Sequence, residues 1–179
     1  MDSTPQQHQD EAVSLFQQGQ YRDALARFET AVSLCAAQGD KAGQAEMLNN
    51  IGVVHRILKQ YQAAATALQQ AAEIFAELND LNHQGQTLGN LGDLYAAQRQ
   101  REDAARAYSN AAALFAQCND GSKQSQVLRA LSLLKIRQGQ WVAAMLHMNQ
   151  SLEVKPRRSP ADWLLRFLLR LVIALMGRN

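Results

Sequence analysis

A chain of 179 residues, 47% hydrophobic and 19% charged, has the composition of a folded domain rather than of a disordered polymer. Its net charge of +2 is too small for a nucleic-acid-binding surface, which carries a strong basic excess gathered on one face, so neither DNA nor RNA is an expected partner. Cys35 and Cys118 stand too far apart for a metal-ligand spacing and form no disulfide framework, and Met1–Gln20 is acidic and glutamine-rich where a secretory leader needs a basic start and an apolar run; a cytoplasmic protein with free thiols is expected.

Taken in order, Met1–Thr4 shows no apolar pattern, and Pro5 is suited to opening a helix. Between Gln6 and Gln18, Ala12, Val13, Leu15 and Phe16 recur at helical spacing, and Gly19-Gln20 ends the run. A partner helix from Tyr21 carries Ala24, Leu25, Phe28, Ala31, Val32 and Leu34 on one face and stops at Gly39-Asp40, closing an antiparallel hairpin. The pair recurs three times. Its first helices are expected over 42–58, 82–98 and 122–138, and its second helices over 61–78, 101–118 and 141–154. The repeats are therefore 6–40, 41–80, 81–120 and 121–156.

The repeat can be checked column by column. Ala12, Gly52, Gly92 and Ser132 form a column of small residues, as do Ala24, Ala64, Ala104 and Ala144, and then Ala31, Ala71, Ala111 and Ser151. Small side chains let helix backbones approach closely. Bulk comes from Ile51, Leu91 and Leu131, from Phe28, Leu68, Tyr108 and Met148, and from Leu34, Ile74, Leu114 and Val154. Gln20, Gln60, Gln100 and Gln140 mark the turn inside each hairpin, and Asp40, Asp80 and Asp120 stand where a helix N-cap is wanted. The first repeat departs from the pattern: Glu11 replaces the Ile or Leu of the others, which suits a solvent-facing end.

Leu48, Asn50-Ile51-Gly52, Tyr61, Ala64, Leu68 and Ala71, with their counterparts 40 residues later and the closing Pro156, resemble the tetratricopeptide (TPR) repeat. The spacing exceeds the standard period of about 34 and is similar to that of the long-repeat branch of kinesin light chains and LGN-like adaptors. The resemblance implies an all-α superhelix of about four helical hairpins whose first helices line a concave protein-binding face. On that face it places Glu46, Asn49, Asn50, Val53 and Arg56; then Gln86, Gly89, Asn90, Asp93 and Ala97; then Gln126, Arg129, Leu133 and Arg137. In the family an Asn in the column of Asn50 and Asn90 pairs with the backbone of an extended peptide, and an amide carries the donors and acceptor for this. Arg56, Arg129 and Arg137 are candidates for acidic ligand side chains, while Glu46 and Asp93 reject some of the same ligands. Each charge is also readable as an ordinary solvated residue. The carboxylate-clamp variant of the family needs two basic side chains where this chain has Gln126 and Ala130, and is not expected.

Nothing in the pattern requires an enzyme, a metal or a cofactor. The four histidines do not pair, His55 shares a bulky column with Leu15 and Tyr95, and the glycines follow the hairpin period and not a strand. After Pro156-Arg157-Arg158-Ser159-Pro160 the repeat is lost, and a helix over 160–177 is expected, capped by Ser159 or Asp162. Trp163 to Met176 is apolar except for Arg166 and Arg170, which with Asp162 make one narrow polar stripe. Three readings are open: a helix covering the last hairpin; a membrane-surface anchor with Trp163 and Phe167 at the acyl boundary and Arg166, Arg170, Arg157, Arg158 and Arg178 at headgroups; or a helix for self-association or partner docking. A transmembrane span is too long for it.

Overall fold

Two kinds of turn, alternating along the chain, set the architecture. Inside each hairpin a left-handed residue (Gly19, Lys59, Arg99 or Gly139, with φ of 77°, 60°, 61° and 72°) reverses the chain. The Gln that follows closes the finished helix: the N–H of Gln60 donates to the carbonyl of His55 at 2.9 Å, and that of Lys59 to Arg56 at 3.1 Å, the paired bonds of a Schellman ending. The Gln carbonyl then accepts the first bond of the next helix, as from Ala64 N–H at 3.0 Å. Between hairpins the left-handed residue is Gly39, Asn79 or Asn119, and here the side chain does the capping. Asp40, Asp80 and Asp120 accept from the N–H groups of Gly43, His83 and Lys123 at 2.9, 3.0 and 3.0 Å.

The computed structural model describes residues 4–157 and 159–176. These form nine helices and no strand: α1 Pro5–Gln17, α2 Tyr21–Gln38, α3 Lys41–Ile57, α4 Tyr61–Glu77, α5 Leu81–Ala97, α6 Arg101–Gln117, α7 Gly121–Arg137, α8 Trp141–Val154 and α9 Pro160–Met176. Helices α1 to α8 pair into four hairpins stacked in a superhelix. Helix α3 also touches α5, and α5 touches α7, so the first helices of the hairpins form the tighter, inner layer.

The small columns work by close approach. A Cβ on Gly52 would lie 2.5 Å from Leu68 Cγ, and one on Gly92 2.5 Å from the Tyr108 ring. In the last hairpin Ser132 occupies this position and donates its hydroxyl to the Ala144 carbonyl at 2.8 Å. Phe28, Phe75 and Phe115 are buried between hairpins. At the first repeat Glu11 turns to solvent and pairs with Arg27 at 3.3 Å, consistent with an exposed end.

Helix α9 is attached by its polar stripe. Ser159 and Asp162 cap its start reciprocally: Ser159 N–H donates to Asp162 Oδ2 at 2.8 Å, and Asp162 N–H to Ser159 Oγ at 3.1 Å. Lys155 reaches the same carboxylate at 2.6 Å, Arg166 donates to Glu153 of α8 at 2.6 Å, and Arg170 lies 3.5 Å from Glu153. The apolar side therefore faces out, with Trp163 66% and Phe167 55% exposed. Of the two arginines a membrane anchor would place at headgroups, Arg166 is turned onto α8 by Glu153 with its side chain 16% exposed, while Arg170 lies 3.5 Å from the same carboxylate and stays 58% exposed. Arg158 and Arg178, expected to join them, lie outside the described residues. No described helix is long and apolar enough to cross a membrane.

Lys155, and then the Ser159 N–H and hydroxyl, hold the Asp162 carboxyl down to about 2. Because the folded value lies below the ordinary one, the stabilisation of the α9 start is complete above the usual carboxylate range and is lost as pH falls through about 2. Trp163 fluorescence in a Trp141→Phe background is expected to report this loss. Lys155→Ala is expected to move the midpoint upward, and a midpoint that does not move removes the Lys155 contact from the account.

Candidate protein-binding groove

The inner layer carries two adjoining depressions. The larger, about 460 Å³, lies between α5, α6 and α7; its walls include Gln86, Asn90, Asp93, Tyr108, Phe115 and Lys123. A smaller one of about 200 Å³ is lined by Gln9, Glu46, Asn49, Asn50, His83 and Gln86, among others. Gln86 borders both, so they run on from each other along the concave face.

Within this trough Asn49 and Asn90 are tied together. The Asn90 amide donates to Asn49 Oδ1 at 2.8 Å, and Asn49 is only 6% exposed. Asn49, expected on the concave face, does line the smaller depression, and it is at the same time a buried acceptor joining neighbouring hairpins, because its side of α3 is turned toward α5. Asn50, one position on, is part-exposed and lines the smaller depression. The two sites should thus respond differently. Asn90→Ala strands a buried amide oxygen and is expected to cost about 1–3 kcal/mol, whereas Asn50→Ala should stay within about 0.5 kcal/mol of the parent. Urea unfolding of the two variants checks this, and equal stabilities would contradict the bridge.

Asp93 is also engaged. The Tyr108 hydroxyl donates to Asp93 Oδ1 at 2.6 Å. Burial of the ring, and then the Asp93 carboxylate, push the phenol above its ordinary value, while Arg56 and Arg137 act in the opposite sense. The phenol therefore remains a neutral donor at physiological pH. Arg56 from α3, Asp93 from α5, Tyr108 from α6 and Arg137 from α7 form one electrostatic group that spans three hairpins. Its carboxylate is satisfied by the phenol, while the Arg56 Nε is buried with no hydrogen-bond partner.

The remaining expected residues are dispersed. Glu46 lines the smaller depression. Arg129 instead borders a separate recess of about 290 Å³ with Lys155, Asp162 and Leu165, where α9 meets the last hairpin. Leu133 is exposed on α7. Gln126 and Ala130 line the larger depression without supplying charge.

Lys123 was missed. Its ammonium contacts Asn82 and lies 3.3 Å from Gln86 Oε1, 4.0 Å from Asp120 and 5.8 Å from the Phe115 ring centre. It stands three residues after a capping Asp, in the column of Gly43 and His83, and that column was the available signal. His83 projects near the same trough, stacked on Phe75 with ring centres 5.2 Å apart and bonded through Nδ1 to Asp80 Oδ2 at 2.7 Å. The trough as a whole offers amide donors and acceptors along its length, the Lys123 ammonium, the Asp93 carboxylate and an apolar wall at Phe115.

A tetratricopeptide-repeat family model matches residues 8–77, and the family model described as soluble NSF attachment protein, SNAP, matches residues 53–150. Among solved structures, BtubC (BKLC) from P. vanneervenii is similar at a TM-score of 0.74 and 20% identity, over 87% of this chain and 68% of that one. A putative kinesin light chain with nearly identical TPR-like repeats from Podosopora anserina gives 0.66 at 16% identity, with 100% of both chains covered. MamA from Desulfovibrio magneticus RS-1 gives 0.64 at 19% identity, over 84% of this chain and 75% of that one. At such identities the likeness is one of fold. Curated proteins gave no match.

Proposed function

The chain belongs to the tetratricopeptide-repeat proteins and, over residues 53–150, to the soluble NSF attachment protein family, and from this premise we propose that it is a non-enzymatic adaptor holding an extended peptide segment of a partner protein along its concave face. The observation that carries the reading is the pair of depressions joined at Gln86. A peptide lying along them meets side-chain amides of Asn50, Gln86 and Asn90 in succession, and amides satisfy backbone N–H and C=O groups whatever the peptide's side chains. Arg56 and Arg137 then add preference for acidic side chains, with Asp93 and Glu46 limiting which are accepted.

Affinity capture with the parent and with Asn50→Ala combined with Gln86→Ala tests this. Loss of one or two net hydrogen bonds predicts binding weaker by about tenfold at unchanged stability. Undiminished capture by the double variant removes the groove from the function.

A membrane-anchored assembly factor is the alternative from a different class. The exposed apolar side of α9 supports attachment through that helix, but Arg166, one of the side chains this reading would place at lipid headgroups, is held by Glu153 on α8 at 2.6 Å.

A further inference from the structure

Helix α9 is amphipathic in the inverted sense. Asp162, Arg166, Leu169 and Ile173, spaced by one turn, face the last hairpin and are part-buried; the rest of its described side chains are exposed. Placed on a helical wheel at 100° per residue, the outward positions from Trp163 round to Leu165 span about 200° with no charged side chain. Such a surface needs a cover in water.

We infer that the outward face of α9 packs against the same face of a second copy of this chain. Three observations select this occupant. First, Leu164, Leu168, Leu171 and Leu175 follow the 4-3-4 spacing of a helix–helix seam, and they lie at the middle of the exposed arc, opposite Arg166. A lipid surface makes no demand for such spacing. Second, the apolar surface is continuous along the helix: eight large apolar side chains exposed on α9 are each about half accessible, and burying their seam-facing part supplies the apolar core of an interface whose standard size is about 800 Å² per partner. Third, cations are sparse around the outward arc: Arg166 is turned onto α8 with its side chain only 16% exposed, and Arg170, at the edge of the arc beside Trp163, is 58% exposed and lies 3.5 Å from Glu153, whereas an interfacial membrane helix carries a strongly cationic polar face. A seam of about two heptads is too short to hold two free helices together, but each α9 is already anchored to a solenoid by Glu153 and Lys155.

A two-fold axis through the seam lets it meet itself and closes the assembly at two chains. The stacked Trp163 and Phe167 rings, 6.3 Å apart, flank the seam and exclude water. The interface lies outside the concave trough, so the inference stands independently of the peptide-binding reading.

Light scattering on the eluting full chain tests it. At about 20 µM, above the weak limit for interfaces of this size, the parent should show twice the chain mass of 19.8 kDa. Leu168→Glu with Leu171→Glu should run as a monomer, its dissociation constant raised about 100-fold or more, with the far-ultraviolet helix signal unchanged because both side chains point outward. Should that variant misfold, Leu168→Ala with Leu171→Ala gives the same reading through a smaller shift toward monomer. A monomeric parent overturns the inference, and so does a dimer that survives either folded double variant. A parent that is monomeric and floats with phosphatidylcholine vesicles, with or without phosphatidylserine, overturns it in favour of a lipid cover.

Discussion

Phe75→Ala is expected to lower the unfolding free energy by about 3–5 kcal/mol, the cost of removing a large buried ring. Phe75 is 1% exposed, packs with Ala45 and Ala71, and stacks on His83 of the next hairpin. The void it leaves therefore opens between repeats and cannot be filled by collapse within one hairpin. In a solenoid, stability is close to a sum of repeat terms and nearest-neighbour interfaces. Weakening the interface between the second and third hairpins should thus broaden the urea transition as well as shift it, since the array ceases to melt as one unit. Circular dichroism in urea measures both effects. A loss below about 1 kcal/mol, typical of surface changes, would show that the ring does not couple the hairpins.

Gly92→Val is expected to cost about 3 kcal/mol, at the upper end for overpacking a tight core. The Tyr108 ring occupies the space a side chain would need, and that ring cannot swing aside freely because its hydroxyl is held by Asp93. Two consequences follow from one clash: the third hairpin loosens, and the wall of the larger depression moves. Combining Gly92→Val with Tyr108→Ala frees the space, so the double variant should be less destabilised than the two single changes added together. Strict additivity would mean that Gly92 is not placed by Tyr108.

The fold was legible because the 40-residue period aligns residues whose roles are set by size and backbone geometry. Gly52 and Gly92 against bulky Leu68 and Tyr108, and Asp40, Asp80 and Asp120 at helix starts, admit few alternative readings. The groove was legible only in outline. Asn49 and Asn50 are neighbours in sequence but about 100° apart around α3, and that rotation decides whether an amide is buried against the next hairpin or offered to a ligand. Tyr108 shares a column with Phe28, Leu68 and Met148, so its ring reads as core; the hydroxyl at its far end, which engages Asp93, is invisible to that pattern. For α9 the spacing told which residues share a face. Which face turns inward was decided by Glu153 on another helix, and no periodicity within α9 contains that fact.

An adaptor of this kind must meet its partner with its inner face. A photo-crosslinking side chain placed at Gln86, where the two depressions join, and separately at the exposed Glu73 on the outer helix α4, tests this directly with a captured partner. Crosslinks from position 86 and none from position 73 are the predicted result. Crosslinks from position 73 with none from position 86 would contradict it.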